Sequence, residues 1–163
     1  NYIVSINKNL VIDDDGDKVI DEITAKTVNM FLSNEVKDKL TVSLPDGGVI
    51  EFRIIKNSKS VKVNGMTVTA ELKMNVSFVE AQGFDTPFIL NCNSPEVLEA
   101  RDILEKQLTE QLKATYLLSQ ECGIDFLGLE NLVYRKVGRT LEEGCLDKIN
   151  FEASFKIKVT ENS

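Results

Sequence analysis

Two stretches of this chain alternate apolar and polar residues with a period of two, and one runs at a period near 3.6. Met66, Val68, Ala70, Leu72, Met74, Val76 and Phe78 hold the even positions, while Thr67, Thr69, Glu71, Lys73, Asn75 and Ser77 hold the odd ones. Ile149, Phe151, Ala153, Phe155, Ile157 and Val159 repeat the pattern against Asn150, Glu152, Ser154, Lys156 and Lys158. Each predicts a half-buried strand with one apolar and one polar face, over residues 66–80 and 149–159. Between them, Val97, Ala100, Leu104, Leu108, Thr115 and Leu118 make one helical stripe, with Ile103 and Leu112 on its flanks. Ser94 stands at the N-cap position with its hydroxyl able to accept from the first turn, and Pro95 follows where a missing N–H costs nothing. Arg101, Asp102, Glu105, Lys106, Thr109, Glu110 and Lys113 fill the opposite, solvated side, with Asp102 and Lys106 spaced for an ion pair. The expected helix covers residues 94–118 and lies on a sheet; the stripe drifts to Gln107 and Gln111 instead of holding a coiled-coil heptad.

The rest of the chain is read with the same periods. Residues 2–12 alternate loosely as a strand, the acidic run 13–17 is a turn, and residues 18–20 complete a hairpin. Residues 24–32 predict a short helix capped by Asp21 or Thr24 and ended near Asn34. Residues 40–55 form a hairpin about Pro45-Asp-Gly-Gly48, residues 57–62 read as a polar connection, and Asn64-Gly65 is a tight turn. Residues 83–92 and 138–145 are loops, and Asp125 caps a second short helix that runs through Lys136 with Gly128 inside it. Six strand segments and three helices with no βαβ rhythm indicate an α+β fold. Its sheet is mainly antiparallel, with one long and two shorter helices packed on one face.

At 163 residues the length is that of one domain. The net charge of −7, with Lys and Arg spread singly, argues against a nucleic-acid partner and against direct adsorption to an anionic membrane. Lack of any histidine excludes Ser-His-Asp and Cys-His nucleophile pairs and the histidine-bearing zinc sites. Cys92, Cys122 and Cys145 have no C-x-x-C spacing and read as three buried thiols, with a single bridge as the alternative. No apolar run reaches the roughly 18 residues of a membrane span.

Among candidate sites, Asp13, Asp15, Gly16 and Glu22 fall at positions three, five, six and twelve of a calcium loop, but Val11 stands at position one and cannot ligate, so a solvated turn is expected. A glycosidase-like carboxylate pair has residues to draw on, with 26 Asp and Glu, but no Trp and only three Tyr to line a cleft. Gly128 reads as a close helix–sheet approach. The polar face of the two long strands (Thr67, Thr69, Glu71, Lys73, Glu152, Lys156, Lys158) is expected to be solvated, with partner docking as the alternative. No catalytic, cofactor-binding or metal-ligating residue emerges.

One resemblance is carried by two segments. Glu121-Cys-Gly-Ile-Asp125-Phe-Leu-Gly128-Leu-Glu130-Asn-Leu132 follows directly on a long Glu/Lys/Gln-rich helix, and Leu10-Val-Ile-Asp-Asp-Asp-Gly-Asp17-Lys-Val-Ile-Asp21 forms the opening hairpin. In order and spacing over most of residues 10–160 the chain resembles the C-terminal domain of the spore germinant receptor C-subunit lipoproteins, the Ger(x)C family. Ile12 replaces the usual Phe, Asp21 the usual Gly, and Leu141-Glu-Glu-Gly-Cys145 stands where the family often has an aromatic-rich segment. The resemblance implies a single C-terminal domain, residues 1–163, cut from a larger lipoprotein whose signal peptide and lipidated cysteine lie upstream. It further implies attachment to the outer face of the spore inner membrane and two integral-membrane partners, the A- and B-type receptor subunits. The role implied is non-enzymatic, in assembly or signalling during nutrient-triggered germination, with no cofactor. The alternative is direct binding of a small-molecule germinant, which requires a concave apolar pocket.

Overall fold

The computed structural model describes residues 2–6, 8–13, 16–84, 90–138 and 145–161, with side chains from residue 21 onward. Three short strands come first: β1 (Tyr2–Ile6), β2 (Lys8–Asp13) and β3 (Gly16–Ile20), antiparallel in the order β1-β2-β3. The single strand expected over 2–12 is therefore two, paired Tyr2↔Ile12 through Ile6↔Lys8. The polar residues Lys8 and Asn9 open β2, where the apolar alternation is interrupted. The hairpin expected at the acidic turn is present, with Asp13 opposite Gly16, while Asp14 and Asp15 of the calcium-like motif lie outside the described residues.

Helix α1 (Glu22–Leu32) is capped by Asp21, whose Oδ1 accepts from the Thr24 N–H at 2.7 Å. A second sheet holds β4 (Lys39–Ser43), β5 (Val49–Asn64), β6 (Thr67–Gln82) and β7 (Asn150–Thr160) in the order β4-β5-β6-β7. Both predicted turns hold: residues 45–48 join β4 to β5, and Asn64 with Gly65 closes the β5–β6 hairpin. The sheet is antiparallel except at its edge, where β7 runs parallel to β6. The connection between these two carries α2 (Pro95–Cys122), α3 (Leu129–Val137) and a 3-10 turn (Cys145–Lys148), so one β-helix-β crossover exists where none was expected. Val68, Ala70, Leu72 and Met74 of β6 stand beside Phe151, Ala153, Phe155 and Ile157 of β7 on the face that the helices cover.

Residues 57–62 are not a connection. They continue β5, which runs unbroken for 16 residues. A register shift between Ile54 and Lys56 reverses which side faces inward: Ile50, Phe52 and Ile54 point to the core before it, and Asn57, Val61 and Val63 after it. Ile55 is left on the outside, 54% exposed. The polar residues that looked like a loop belong to a strand whose first inward positions after the shift, Asn57 and Lys59, meet the end of a helix.

Helix α2 spans 28 residues and buries Val97, Ala100, Leu104, Leu108, Leu112, Thr115 and Ser119. Leu112 lies at the centre of the buried stripe and is fully buried, whereas Leu118 moves to its flank. Ser94 is the N-cap residue, yet its side chain caps nothing: its Oγ accepts from the Asn91 N–H at 2.9 Å. Asp102 pairs with the adjacent Arg101 at 2.7 Å instead of with Lys106. The side read as solvated is also put to use. Glu105 accepts from the Ile157 N–H at 2.7 Å and Thr109 from the Phe155 N–H at 3.2 Å, so α2 satisfies open backbone groups along the edge of β7. Tyr116 donates to the Ile149 carbonyl on the same edge.

Helix α3 begins after Gly128, not at Asp125. Asp125 caps it from four residues before its first residue, its Oδ1 and Oδ2 accepting from the Leu129 and Glu130 N–H groups at 2.9 Å each. Gly128 is the residue before the helix, with φ 68°, and a Cβ there would meet nothing within 4 Å. Its requirement is the left-handed backbone, not close approach to the sheet. Of the three thiols, all free, only Cys145 is buried; Cys92 and Cys122 are half-buried.

Candidate functional site

The polar sheet face is where sequence reasoning placed possible docking. Thr69, Lys73, Glu152, Lys156 and Lys158 are exposed, and Thr67 and Glu71 are partly so. The parallel register sets Lys73 directly beside Lys156, an unfavourable like-charge pair. Glu71 relieves it, with Oε1 3.1 Å from Lys73 Nζ and Oε2 3.1 Å from Lys156 Nζ. Those contacts, Lys156 first and then Lys73, hold the Glu71 carboxyl below its ordinary range. Farther across the same sheet Lys39 pairs with Glu51 at 2.7 Å. Glu71, Lys73 and Lys156 thus satisfy one another, as do Lys39 and Glu51, in the manner of a solvated sheet surface.

A different surface has unmet apolar area. Helices α1 and α2 lie side by side, tied by Thr27 Oγ1, which donates to Ile23 O at 2.9 Å and lies 3.1 Å from Gln111 Oε1. Between them runs an open groove of about 480 Å3, with Ile23 on one wall and Ala114, Leu117 and Leu118 on the other. Ile23 is 56% and Leu117 55% exposed, large apolar side chains that line the groove from different helices. A second hollow of about 530 Å3 continues along α2 from Leu104 and shares Gln111 and Ala114 with the first. Asp21, Glu110 and Glu121 rim this trough. Sequence reasoning passed over it. The signal was present, since Ala114 and Leu117 interrupt the charged side of α2, but only the neighbouring α1 makes that interruption one wall of a groove.

Other polar groups inside the fold serve the fold. Asn57 is 2% exposed, and its Nδ2 donates to Met30 O at 2.8 Å and Ser33 O at 3.3 Å, closing the C-terminal end of α1. Lys59 reaches the next carbonyl, Phe31 O, and its Nζ sits 4.1 Å from the centroid of the Phe31 ring. Burial lowers the Lys59 pKa. Near α3, burial raises the Asp125 carboxyl against the opposing pull of its cap hydrogen bonds. Glu130 Oε1 accepts from the Leu146 N–H at 3.1 Å and the Cys145 thiol at 3.4 Å. Burial, and then Glu130, push that thiol up to about 11, which leaves it a poor nucleophile.

Among the described residues no group of His, Cys, Asp and Glu gathers in a metal-holding arrangement. A recess of about 300 Å3 beside the start of α2 is lined by Phe78, Phe84 and Leu90, with Glu80 and Glu96 among its walls. No helix among the described residues is long and apolar enough to cross a membrane.

Comparison with known proteins adds what the geometry alone does not. No curated protein sequence matches the chain. The crystal structure of the GerBC protein superposes with a TM-score of 0.66 at 13% sequence identity, covering 93% of this chain and 50% of that one. The likeness is one of fold, and the chain spans about half the length of that protein. The model of the family described as "Spore germination B3/GerAC like, C-terminal" matches residues 10–162. The chain therefore belongs to that family and is a Ger(x)C C-terminal domain.

Proposed function

We propose that this domain is an interaction module of a spore germinant receptor C-subunit, acting without catalysis in assembly or signalling of the receptor. Family membership supports the receptor setting. The observation that carries the interaction role is the α1–α2 groove, with Ile23 and Leu117 each more than half exposed on opposite walls. Large apolar side chains grouped in a concave, polar-rimmed patch are the usual mark of a protein–protein contact. The partners on this reading are the integral-membrane A- and B-type subunits. The C-subunit itself is held at the outer face of the spore inner membrane by a lipid anchor upstream of this domain.

The test is co-purification of the full-length C-subunit from membranes holding both partner subunits. Ile23→Asp and Leu117→Asp alter exposed side chains, so the domain should still fold. Recovery of the partners should drop with either variant, and unchanged recovery with both would count against docking through this surface. A second reading, direct binding of a small-molecule germinant, draws on the recess lined by Phe78, Phe84 and Leu90. It predicts a germinant-dependent rise in melting temperature that Phe84→Ala removes.

A further inference from the structure

We propose that the groove between α1 and α2 receives a basic amphipathic helix of a partner protein; this rests on the docking reading above and adds the chemistry of the partner. Shape comes first. The α1–α2 groove runs beside residues 111–121 of α2, and the hollow along α2 extends it to Leu104, together about 26 Å at 1.5 Å per residue, the length of a helix of roughly 17 residues. Beside residues 111–121 the walls are the two helices, and Ala114, shared by both hollows, leaves room for another backbone to approach. An apolar helix face laid between Ile23 and Leu117 would anchor by residues one turn apart, the helix-in-groove mode.

Charge then selects among helices. Among the residues whose side chains are described, the charged ones lining the trough are acidic: Asp21, Glu110 and Glu121. Asp21 is engaged in capping α1. Glu110 and Glu121 form no ion pair or hydrogen bond among the described residues. They stand 11 positions apart on α2, roughly 17 Å along its axis. Lys106 and Lys113 flank Glu110 on the solvent side of α2 and do not line the trough. A second copy of this chain, at net charge −7, would meet like charge there, and an anionic bilayer surface would be repelled by the same carboxylates. A helix with Lys or Arg on both flanks of an apolar stripe meets neither objection.

The first probe is a fluorescein-labelled helical peptide of about 18 residues, with Leu at i, i+3, i+4 and i+7 and Lys on both flanks, and a twin with Glu in place of Lys. Anisotropy against the 163-residue chain should show the Lys peptide binding at least about tenfold more tightly than the Glu twin, and weakening as salt rises. Leu117→Asp makes the domain more acidic, so diffuse attraction would strengthen binding, whereas a seated helix should bind at least about tenfold more weakly. The pair Glu110→Lys and Glu121→Lys should weaken the Lys peptide and admit the Glu twin. Equal binding of the two peptides, or tighter binding to Leu117→Asp, would overturn the proposal. The same variants in co-purification separate the two levels. If Leu117→Asp releases the partner subunits while the charge reversal leaves them bound, docking through the groove stands and the basic helix falls. If neither variant matters, both fall.

Discussion

Asn57 tests how a strand position that reads as loop can hold two layers together. It is buried on β5 just past the register shift and donates to two carbonyls at the end of α1, Met30 O and Ser33 O. Replacing it by Leu keeps the branching of the side chain and removes both donors. The Met30 bond is buried, and losing a buried acceptor's partner costs about 1–3 kcal/mol; the Ser33 bond is longer and only partly buried, so water recovers most of its share. One term runs the other way. Asn57 Oδ1 is buried with no partner, and Leu abolishes that desolvation penalty, which lies within the same 1–3 kcal/mol range in principle but is softened by the amide's own freedom to relax. The net expectation for Asn57→Leu is a loss of about 1–2 kcal/mol. Asn57→Asp should be worse, at about 3 kcal/mol or more, because it places a carboxylate against the carbonyls that end a helix. Urea unfolding followed by circular dichroism reads both, and a loss of 1 kcal/mol in a domain of this length corresponds to about 2–4 °C in Tm. If Asn57→Leu matches wild type within about 0.5 kcal/mol and Asn57→Asp is no worse, the amide does not hold α1 to the sheet and the reasoning is wrong.

Three further outcomes follow from the same contacts. Asp125→Ala should lose about 1–2 kcal/mol with the α3 cap, whereas Asp125→Asn keeps a capping oxygen. Because the folded carboxyl is raised by burial, wild type gains stability from this group as pH falls through the folded value toward the unfolded one; Asn does not titrate and lacks that gain, so the stability difference should move in favour of wild type between pH 7 and about pH 4 in urea titrations. Gly128→Ala should cost about 1–2 kcal/mol through its left-handed backbone and Gly128→Asn clearly less, an ordering that a steric clash would reverse. Glu105→Ala combined with Thr109→Val uncovers the Ile157 and Phe155 N–H groups; it should destabilise the fold by about 1–3 kcal/mol and give concentration-dependent association in light scattering, absent from wild type at the same loading.

The alternating residues of β6 and β7 and the stripe on α2 were legible because period and burial coincide there: each element presents one face to one layer. The turns at residues 45–48 and at Asn64-Gly65 were legible for a local reason, since Pro, Asp, Asn and Gly act on their own backbone. Asp125 was rightly read as a cap, but one whose helix starts after Gly128. Residues 57–62 misled because periodicity assumes that inward means apolar, and here the inward neighbour is a helix terminus whose carbonyls call for an amide and an ammonium. Glu105 and Thr109 misled likewise: on an isolated helix they face water, and only the placement of β7 beside α2 gives them backbone partners. The parallel direction of β7 depends on the path of the whole crossover and leaves no mark on the strand itself. The groove has the same origin. Leu117 and Ile23 are 94 positions apart, each an ordinary exposed side chain in its own helix, and become a shared surface only when the helices meet. Near-neighbour patterns therefore set most of the elements and the class of fold, because period, caps and turns act over a few residues. The tertiary structure alone decided which polar residues are structural and where unmet apolar surface lies, because both depend on contacts between segments far apart in the chain.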